Sequence, residues 1–422
     1  MAFATNIYPS YLTWFGVARE PVAGTGVNPL VSIPTDQSTF EPEDKPVWLD
    51  DKAIRGSMAD LYNVVQGVEL ASWSLGGPFY YDVHGFMLDN LFGDKQDTAA
   101  TTATSTTTTT LVSPGSTSVT VTVATGFTTG SYAQLGNATI TTAPVEIVGP
   151  ITVAGSVISW TNPARFTHAI GAAAAGVTES GTNLITHVFS ALNIGTGQPP
   201  TDTFCDYTGI TPSHGARLYA GSCVATMDLT ISAEKLVTVK FGATSVASAA
   251  AATAVTNAPT SVIPVAAWNG TAMLGNRGGG GYASVTDFGE VTYAFKRPLK
   301  AYFTEDGSQS PLVIARGPLS VTGGIKYDPA VDETALTNML LNVQPSMKLT
   351  VTDSTAIPAV SPAHNLIVQT SQAAFKTAKI NRSAVLLGYD VTFECVANTA
   401  DAGGSGGLSP ANVTLANYFA AY

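Results

Sequence analysis

Hydrophobic and polar positions alternate in twos over much of this chain. Between 225 and 232, Ala225, Met227, Leu229 and Ile231 fall on one side, and Thr226, Asp228, Thr230 and Ser232 on the other. After a short turn at 232–235, Val237, Val239 and Phe241 alternate with Thr238 and Lys240. Successive side chains of a strand point to opposite faces, so this spacing predicts a hairpin with one apolar and one wet face. The pattern recurs at 385–396, where Leu387, Tyr389, Val391, Phe393 and Cys395 oppose Gly388, Asp390, Thr392 and Glu394. Further strands are expected at 285–296, 311–315, 318–327, 347–352, 365–370 and 374–380. In the first of these, Val285, Asp287, Gly289, Val291, Tyr293 and Phe295 share a face by simple alternation.

Two places show the helical period instead. A charge-dense lead-in (Glu41, Glu43, Asp44, Lys45, Asp50, Asp51, Lys52, Arg55) is followed by β-type runs at 57–66 and 68–76, a hairpin turning at Gln66-Gly67. Gly76-Gly77-Pro78 breaks the second run, and Pro78 suits a first helical turn. Phe79, Val83, Phe86, Met87 and Leu91 then form an apolar stripe, and Gly93 is placed to stop the helix in a left-handed conformation. Burying that stripe is worth on the order of 10 kcal/mol as an upper bound. A second helix is expected from Asp328-Pro329, with Leu336, Met339, Leu340 and Val343 inward and Pro345 beyond its end.

The remaining stretches are punctuated. Residues 1–44 carry five prolines after position 8 and predict an irregular arm. Residues 98–110, almost all Thr and Ala, predict a linker. From 111 to 178 the only formal charges are Glu146 and Arg165, and short β runs at 118–124, 132–135, 145–153 and 156–160 predict a small β module. Residues 182–192 fit a strand or a short helix, 194–215 a loop, and 243–283 a long exposed loop with one β-like run at 262–268. Residues 398–410 predict a Gly/Ser-rich linker, and 411–422 a tail that frays or docks on a neighbour.

The stretch "EPEDKPVWLDDKAIRGSMADLYNVVQGVELASWSLGGPFYYDVHGFMLDNLFGD" at 41–94 resembles the start of the major tail (tail tube) proteins of long-tailed bacteriophages of the siphophage type. The hairpin at 225–241 is similar to one that family carries at the corresponding point. The resemblance covers roughly 10–97 and 179–397 and consists of strand and turn patterns rather than invariant chemistry. It implies a β-sandwich subunit, barrel-forming on assembly, with two flanking helices. Such subunits build stacked, hexameric rings, and the rings form a tube through which genomic DNA leaves. It also implies tape-measure, tail terminator and tail-tip proteins as partners. The segment "TTTTTLVSPGSTSVTVTVATGFTTGSYAQLG", with 155–160 and 163–173, resembles a small β module inserted in phage structural proteins. The expected organisation is therefore an N-terminal arm (1–44), a discontinuous tube domain (45–97 and 179–397), an inserted β domain on the tube exterior (98–178), and a linker with tail (398–422).

Composition narrows the functional classes. Charged residues make up only 12% of the 422, about half the usual share, which fits a surface spent largely on subunit contacts. The net charge of −11 argues against tight nucleic-acid binding, because phosphate contacts need Lys and Arg. Cys205, Cys223 and Cys395 have neither disulfide-framework nor zinc spacing and are expected to be buried free thiols. His84, His168, His187, His214 and His364 form no metal-ligand pair. "GNRGGGGY" at 275–282 lacks the Lys-Ser/Thr ending of a phosphate loop. The acidic pairs Glu43/Asp44 and Asp50/Asp51 lie outside any calcium-loop pattern. No catalytic constellation, cofactor site or metal site is therefore expected. No basic region precedes Arg19, so a secretory signal is not expected; the small-residue runs at 169–177 and 246–255 are too short to span a bilayer; and synthesis in a bacterial cytoplasm with final residence in a virion is expected.

A subunit of this kind exposes sheet edges, and a closed ring of copies removes them. The wet faces would then line a bore past which double-stranded DNA slides. By alternation, the lumen-lining candidates are Thr226, Asp228, Thr230, Thr238, Lys240, Asp390, Thr392 and Glu394. The alternative is a Thr-rich extracellular adhesin or surface-layer β protein.

Overall fold

The fold was analysed in a computed structural model. It describes residues 8–422 apart from 37–38, 54, 56–59, 99–100, 137–144, 162, 165, 179–184, 193–196, 211–213, 261, 329, 331, 353–363, 383–385 and 418–421. In chain order the first elements are β1 (Trp14–Arg19), β2 (Val31–Ile33), β3 (Glu41–Asp51), β4 (Asn63–Pro78), α1 (Gly85–Phe92) and β5 (Gly93–Thr98). The next group is β6 (Thr101–Thr107), β7 (Ser118–Thr120), β8 (Tyr132–Leu135), β9 (Glu146–Val148), β10 (Ile151–Ala154), β11 (Val157–Trp160) and β12 (Ala173–Thr178). Then come β13 (Ile185–Ala191), β14 (Asp202–Tyr207), β15 (Ala216–Ser232), β16 (Thr238–Ser245), β17 (Ala249–Ala250), β18 (Gly270–Gly275), β19 (Ala283–Val285) and β20 (Phe288–Lys296). The chain closes with β21 (Leu299–Tyr302), β22 (Val313–Arg316), β23 (Ser320–Tyr327), α2 (Thr334–Leu340), β24 (Ser346–Thr352), β25 (Asn365–Thr370), β26 (Ala373–Asn381), β27 (Gly388–Cys395) and β28 (Asn412–Asn417). The protein is mainly β, as the alternation predicts.

Two sheets enclose the main core. The wide sheet has 12 strands organised on β15. The first half of β15 pairs with β14, and through it β1 and β2. Its second half has β16, β4 and β3 on one side and β20, β23, β27 and β26 on the other. The two halves diverge at Gly221, whose φ of +60° lies in the left-handed region that glycine tolerates. The second sheet runs β19-β18-β24-β25-β28-β13-β5. Met227, Leu229, Phe241, Tyr293, Phe295 and Phe393 of the wide sheet and Leu349, Val351, Val368, Val413 and Phe189 of the second belong to one buried cluster.

Helix α1 also belongs to that cluster, and all eight of its residues are buried. It is a core helix rather than a flanking one, which corrects the expectation. Its polar groups are satisfied inside. Asp89 pairs with Arg19 at 2.7 Å, and Asn90 donates to Asp202 at 2.8 Å and to the Ser222 carbonyl at 2.9 Å. Arg297 donates to the Leu91 and Phe92 carbonyls at the C-terminal end of α1, where a cation is favoured. Gly93 stops the helix with a φ of +85°, as predicted. The start differs: Pro78 ends β4, and 79–84 form a turn in which the His84 ring accepts the Tyr80 N–H at 2.9 Å. Helix α2 begins at Thr334, with the Asp332 carboxylate accepting the Thr334 N–H at 2.8 Å; Pro329 lies outside the described residues. Leu340 is exposed, whereas Ala335 and Asn338 are buried in the inward positions.

Several other expectations need correction. Gln66 and Gly67 lie inside β4 and not at a turn; the hairpin partner is β3, built from the charged lead-in. Pro42 and Pro46 exclude a helix there, yet an edge strand accommodates them. The 1–44 arm contributes β1 and β2 to the wide sheet, and the 98–110 linker contributes β6. The loops at 194–215 and 243–283 contain β14, β17, β18 and β19. The run at 262–268 is not a strand but leads into a short 3-10 turn at Ala267–Asn269. A bulge between Phe288 and Glu290 shifts the register; of the predicted inward set Val291, Tyr293 and Phe295 are in the core and Val285 packs against it, while Phe288, outside the set, faces Tyr327. The predicted tail supplies β28, between β25 and β13 of the second sheet, and the Tyr422 ring is buried against α1. The tail therefore docks on its own chain.

The segment between β5 and β13 forms two small sheets, β10-β11-β7 and β6-β12-β8-β9. Its core (Val112, Val119, Val121, Leu135, Ile158, Trp160 and neighbours) is a cluster distinct from the main one. It enters and leaves through one hairpin, since Thr98 of β5 pairs with Thr186 of β13.

Candidate functional site

The eight wet-face candidates lie on one face of the wide sheet, opposite the core. Asp228, Thr238, Lys240, Asp390, Thr392 and Glu394 are exposed, and Thr226 and Thr230 half-buried. Strand register brings them into rows across the sheet. One row is hydroxyl-rich: Thr238, Thr230, Thr292, Gly324, Thr392 and Thr377 face one another in turn. Along it the Thr377 and Thr392 hydroxyls hydrogen-bond at 2.7 Å, and the Gly324 N–H donates to Thr292 Oγ1 at 3.1 Å.

The neighbouring row alternates in sign: Glu290, Lys326, Asp390 and Lys379 stand opposite one another on four adjacent strands. Lys326 Nζ reaches Glu290 at 2.6 Å, and that hydrogen bond holds the lysine above its ordinary pKa. On the other side of the threonines, Lys240 faces Asp228, and Thr322 faces Glu394. Lys376 reaches Glu394 at 3.1 Å. Cations and carboxylates are thus interleaved in these two rows, and the next row beyond Lys240 and Asp228 carries a single cation, Lys296, among Gly242, Thr226 and Ser320. Exposed pairs of this kind contribute little stability; what they change is the field above the sheet.

The face has edges. At β4 it is covered by Thr39, whose Oγ1 accepts the Gly76 N–H at 3.1 Å and whose carbonyl accepts from Ser74 Oγ at 3.3 Å. At the far end β26, among the described residues, pairs with β27 alone, and α2 packs against it. Alternation alone missed Glu290, Thr292, Lys326, Thr377 and Lys379. The bulges at Phe288/Glu290 and Phe375/Thr377 displace two of these strands from a simple count. On β23 the two-residue period is sufficient, and Lys326 falls on its outward half, opposite the inward Ile325 and Tyr327.

Away from that face one charged cluster is buried in the core, Arg19 between Asp89 and Asp202 at 2.7 Å each, with burial raising Asp202 to about 6; the histidines do not converge. His84 is stacked on Phe79 at 4.8 Å, and burial lowers its pKa to about 4. His168 reaches Glu146 at 2.8 Å, His187 reaches Asp97 at 2.7 Å, and His364 stacks on Tyr81. The three cysteines are buried and free. A groove of about 510 Å³ runs past Tyr11, Trp14, Phe15 and Phe40; Asp206, pushed up to about 6 by burial, is the one carboxylate lining it. Among the described residues no group of three His, Cys, Asp or Glu is placed to hold a metal, and no helix is long and apolar enough to cross a membrane. No protein-family model matches this sequence, and no curated protein matches it.

Proposed function

We propose that this chain is a structural subunit of a phage tail tube: copies join into stacked rings, and the wet face of the wide sheet lines the bore through which double-stranded DNA passes. The carrying observation is that face. It spans β16, β15, β20, β23, β27 and β26, is rich in hydroxyls, and sets carboxylates beside most of its lysines, with Lys326 and Lys376 ion-paired to Glu290 and Glu394. DNA carries about one charge per 1.7 Å of axis and is gripped by rows of Lys and Arg. A surface of threonines and interleaved opposite charges offers no such row, so a duplex slides along it. The bore would be a barrel assembled from several sheets, wide enough to stay water-filled.

The test is direct. Purified full-length chain, concentrated and viewed by negative-stain electron microscopy, is expected to give hollow rings or short stacked tubes. Flat lattices would support the surface-layer alternative. Monomers at every concentration would refute the tube.

A further inference from the structure

The wide sheet ends in two patches where, among the described residues, large apolar side chains stand exposed. At one end, β3 and the outer half of β4 extend past the last pairing with β16 at Ala71 as a two-stranded arm. Trp48 and Val64 lie on one face of the arm and Leu49 and Val65 on the other by register, with Trp48 at 58% and Leu49 at 54% exposure. The arm is not a loose ribbon. The Glu69 N–H donates to the Gln309 carbonyl at 2.9 Å, and Gln309 Nε2 donates to the Gly67 carbonyl at 2.9 Å, so the 303–311 loop braces its base. At the other end, α2 packs against β26, and its outward Leu340 and Leu341 are 70% and 71% exposed. Ile380 and Leu387, beside it at the β26–β27 end, are also exposed.

The two ends differ in sign. β3 carries five carboxylates against one lysine, whereas residues 373–387 carry Lys376, Lys379 and Arg382 and no carboxylate. Pro42 and Pro46 remove two N–H donors from β3, which disfavours continuous strand addition there. Contact at that end must therefore come from side chains.

We infer that the arm of one copy seats on the α2–β26 patch of the next, apolar side chains against apolar, with the acidic strand toward Arg382 at the end of β26, since Lys376 and Lys379 already stand against Glu394 and Asp390. This rests on the ring reading above and names its contact. The surfaces are different patches of one chain, so the interface is head-to-tail, and repeating it covers both ends in every copy. Trp48 is the central anchor, as a large aromatic desolvated at an interface commonly is.

Two variants test this, Trp48→Glu on the arm and Leu341→Glu on the patch. Both side chains are exposed, so each variant should fold with unchanged circular dichroism and melting temperature. Each alone should need at least about tenfold more protein than the native chain to assemble, measured by sedimentation velocity. Mixed one to one, they should give a discrete heterodimer, because one keeps an intact patch and the other an intact arm. A Trp48→Cys chain mixed with a Leu341→Cys chain should crosslink under oxidation as heterodimers. Rings from both glutamate variants, or no heterodimer in either mixture while the native chain forms rings, overturn the contact and leave the tube reading intact. A native chain that never assembles overturns the tube reading, and the contact with it.

Discussion

Gly85 shows what a single residue decides here. A Cβ at that position would meet the Tyr422 ring, which lies against the start of α1. The Tyr422 hydroxyl donates to the Tyr81 carbonyl at 3.2 Å, so the ring has little freedom to move. Gly85→Ala is expected to destabilise the fold by about 1–3 kcal/mol, the usual cost of overpacking a filled core, read as a lower melting temperature. Beside it, His84 gives a pH signature. Its native pKa of about 4 lies below the value near 6.5 expected for the unfolded chain. Above pH 6.5 both states are neutral and stability is complete. As pH falls the unfolded chain takes the proton first, so stability is lost between about 6.5 and 4, by on the order of 3 kcal/mol. An NMR titration of the His84 ring should show a midpoint near 4, and one near 6.5 would exclude the buried neutral ring. These two residues differ in legibility from the wet-face set. Thr226, Asp228 and Thr392 were legible because strand alternation is local. Gly85 was not, because its reason for being glycine is Tyr422, almost the whole chain away.

Elements were legible where the two-residue period stands alone, as in β15, β16 and β27, and where the helical period meets a glycine stop, as at α1 and Gly93. They were not legible where another pressure writes the sequence. β3 is an edge strand, so charge and two prolines mask its extended conformation. β28 sits behind a glycine-rich approach, yet it pairs on both sides, with β25 and β13. Its last residue, Asn417, donates to the Tyr81 carbonyl at 2.6 Å and so ties the strand to the turn before α1. Truncation after Pro410 would split the second sheet and leave β13 and β25 unpaired on one edge each. It is expected to abolish folding, seen as insoluble product or loss of a cooperative melt. A folded truncated chain would show that the second sheet stands without its bridging strand. Arg297 makes the equivalent statement for α1. It donates to the Leu91, Phe92, Leu192 and Gly317 carbonyls. Arg297→Ala leaves those buried acceptors without their donor, and a loss of about 3 kcal/mol in chemical denaturation is expected.

At the scale of the whole molecule, the architecture makes one part separable from the rest. The segment from 101 to 178 has its own core, is connected to the rest of the chain through one hairpin, and touches it at Phe166 and at Ile185, which packs with Tyr132, Val145, Ile147 and Val177. Thr98 and Thr186 are cross-strand partners, so β5 and β13 are already in register where the segment departs. A short glycine-containing turn can join strands held in that way. Replacing 99–184 with such a turn removes Phe166, the one aromatic of this segment that belongs to the main core cluster. It also uncovers Ile185, so the expected loss is about 3–6 kcal/mol, the transfer value of two large buried apolar side chains. The wet face, the β3–β4 arm and the α2–β26 patch all lie outside the excised residues. The shortened chain should consequently fold and assemble at the same protein concentration as the native one, into rings of unchanged bore and smaller outer diameter by electron microscopy. A narrowed or absent bore would mean that 101–178 faces the interior or bridges subunits, and the wet face could not then be the lining. Retention of the bore with loss of outer density would place the segment on the exterior and leave the threonine rows as the surface that DNA meets.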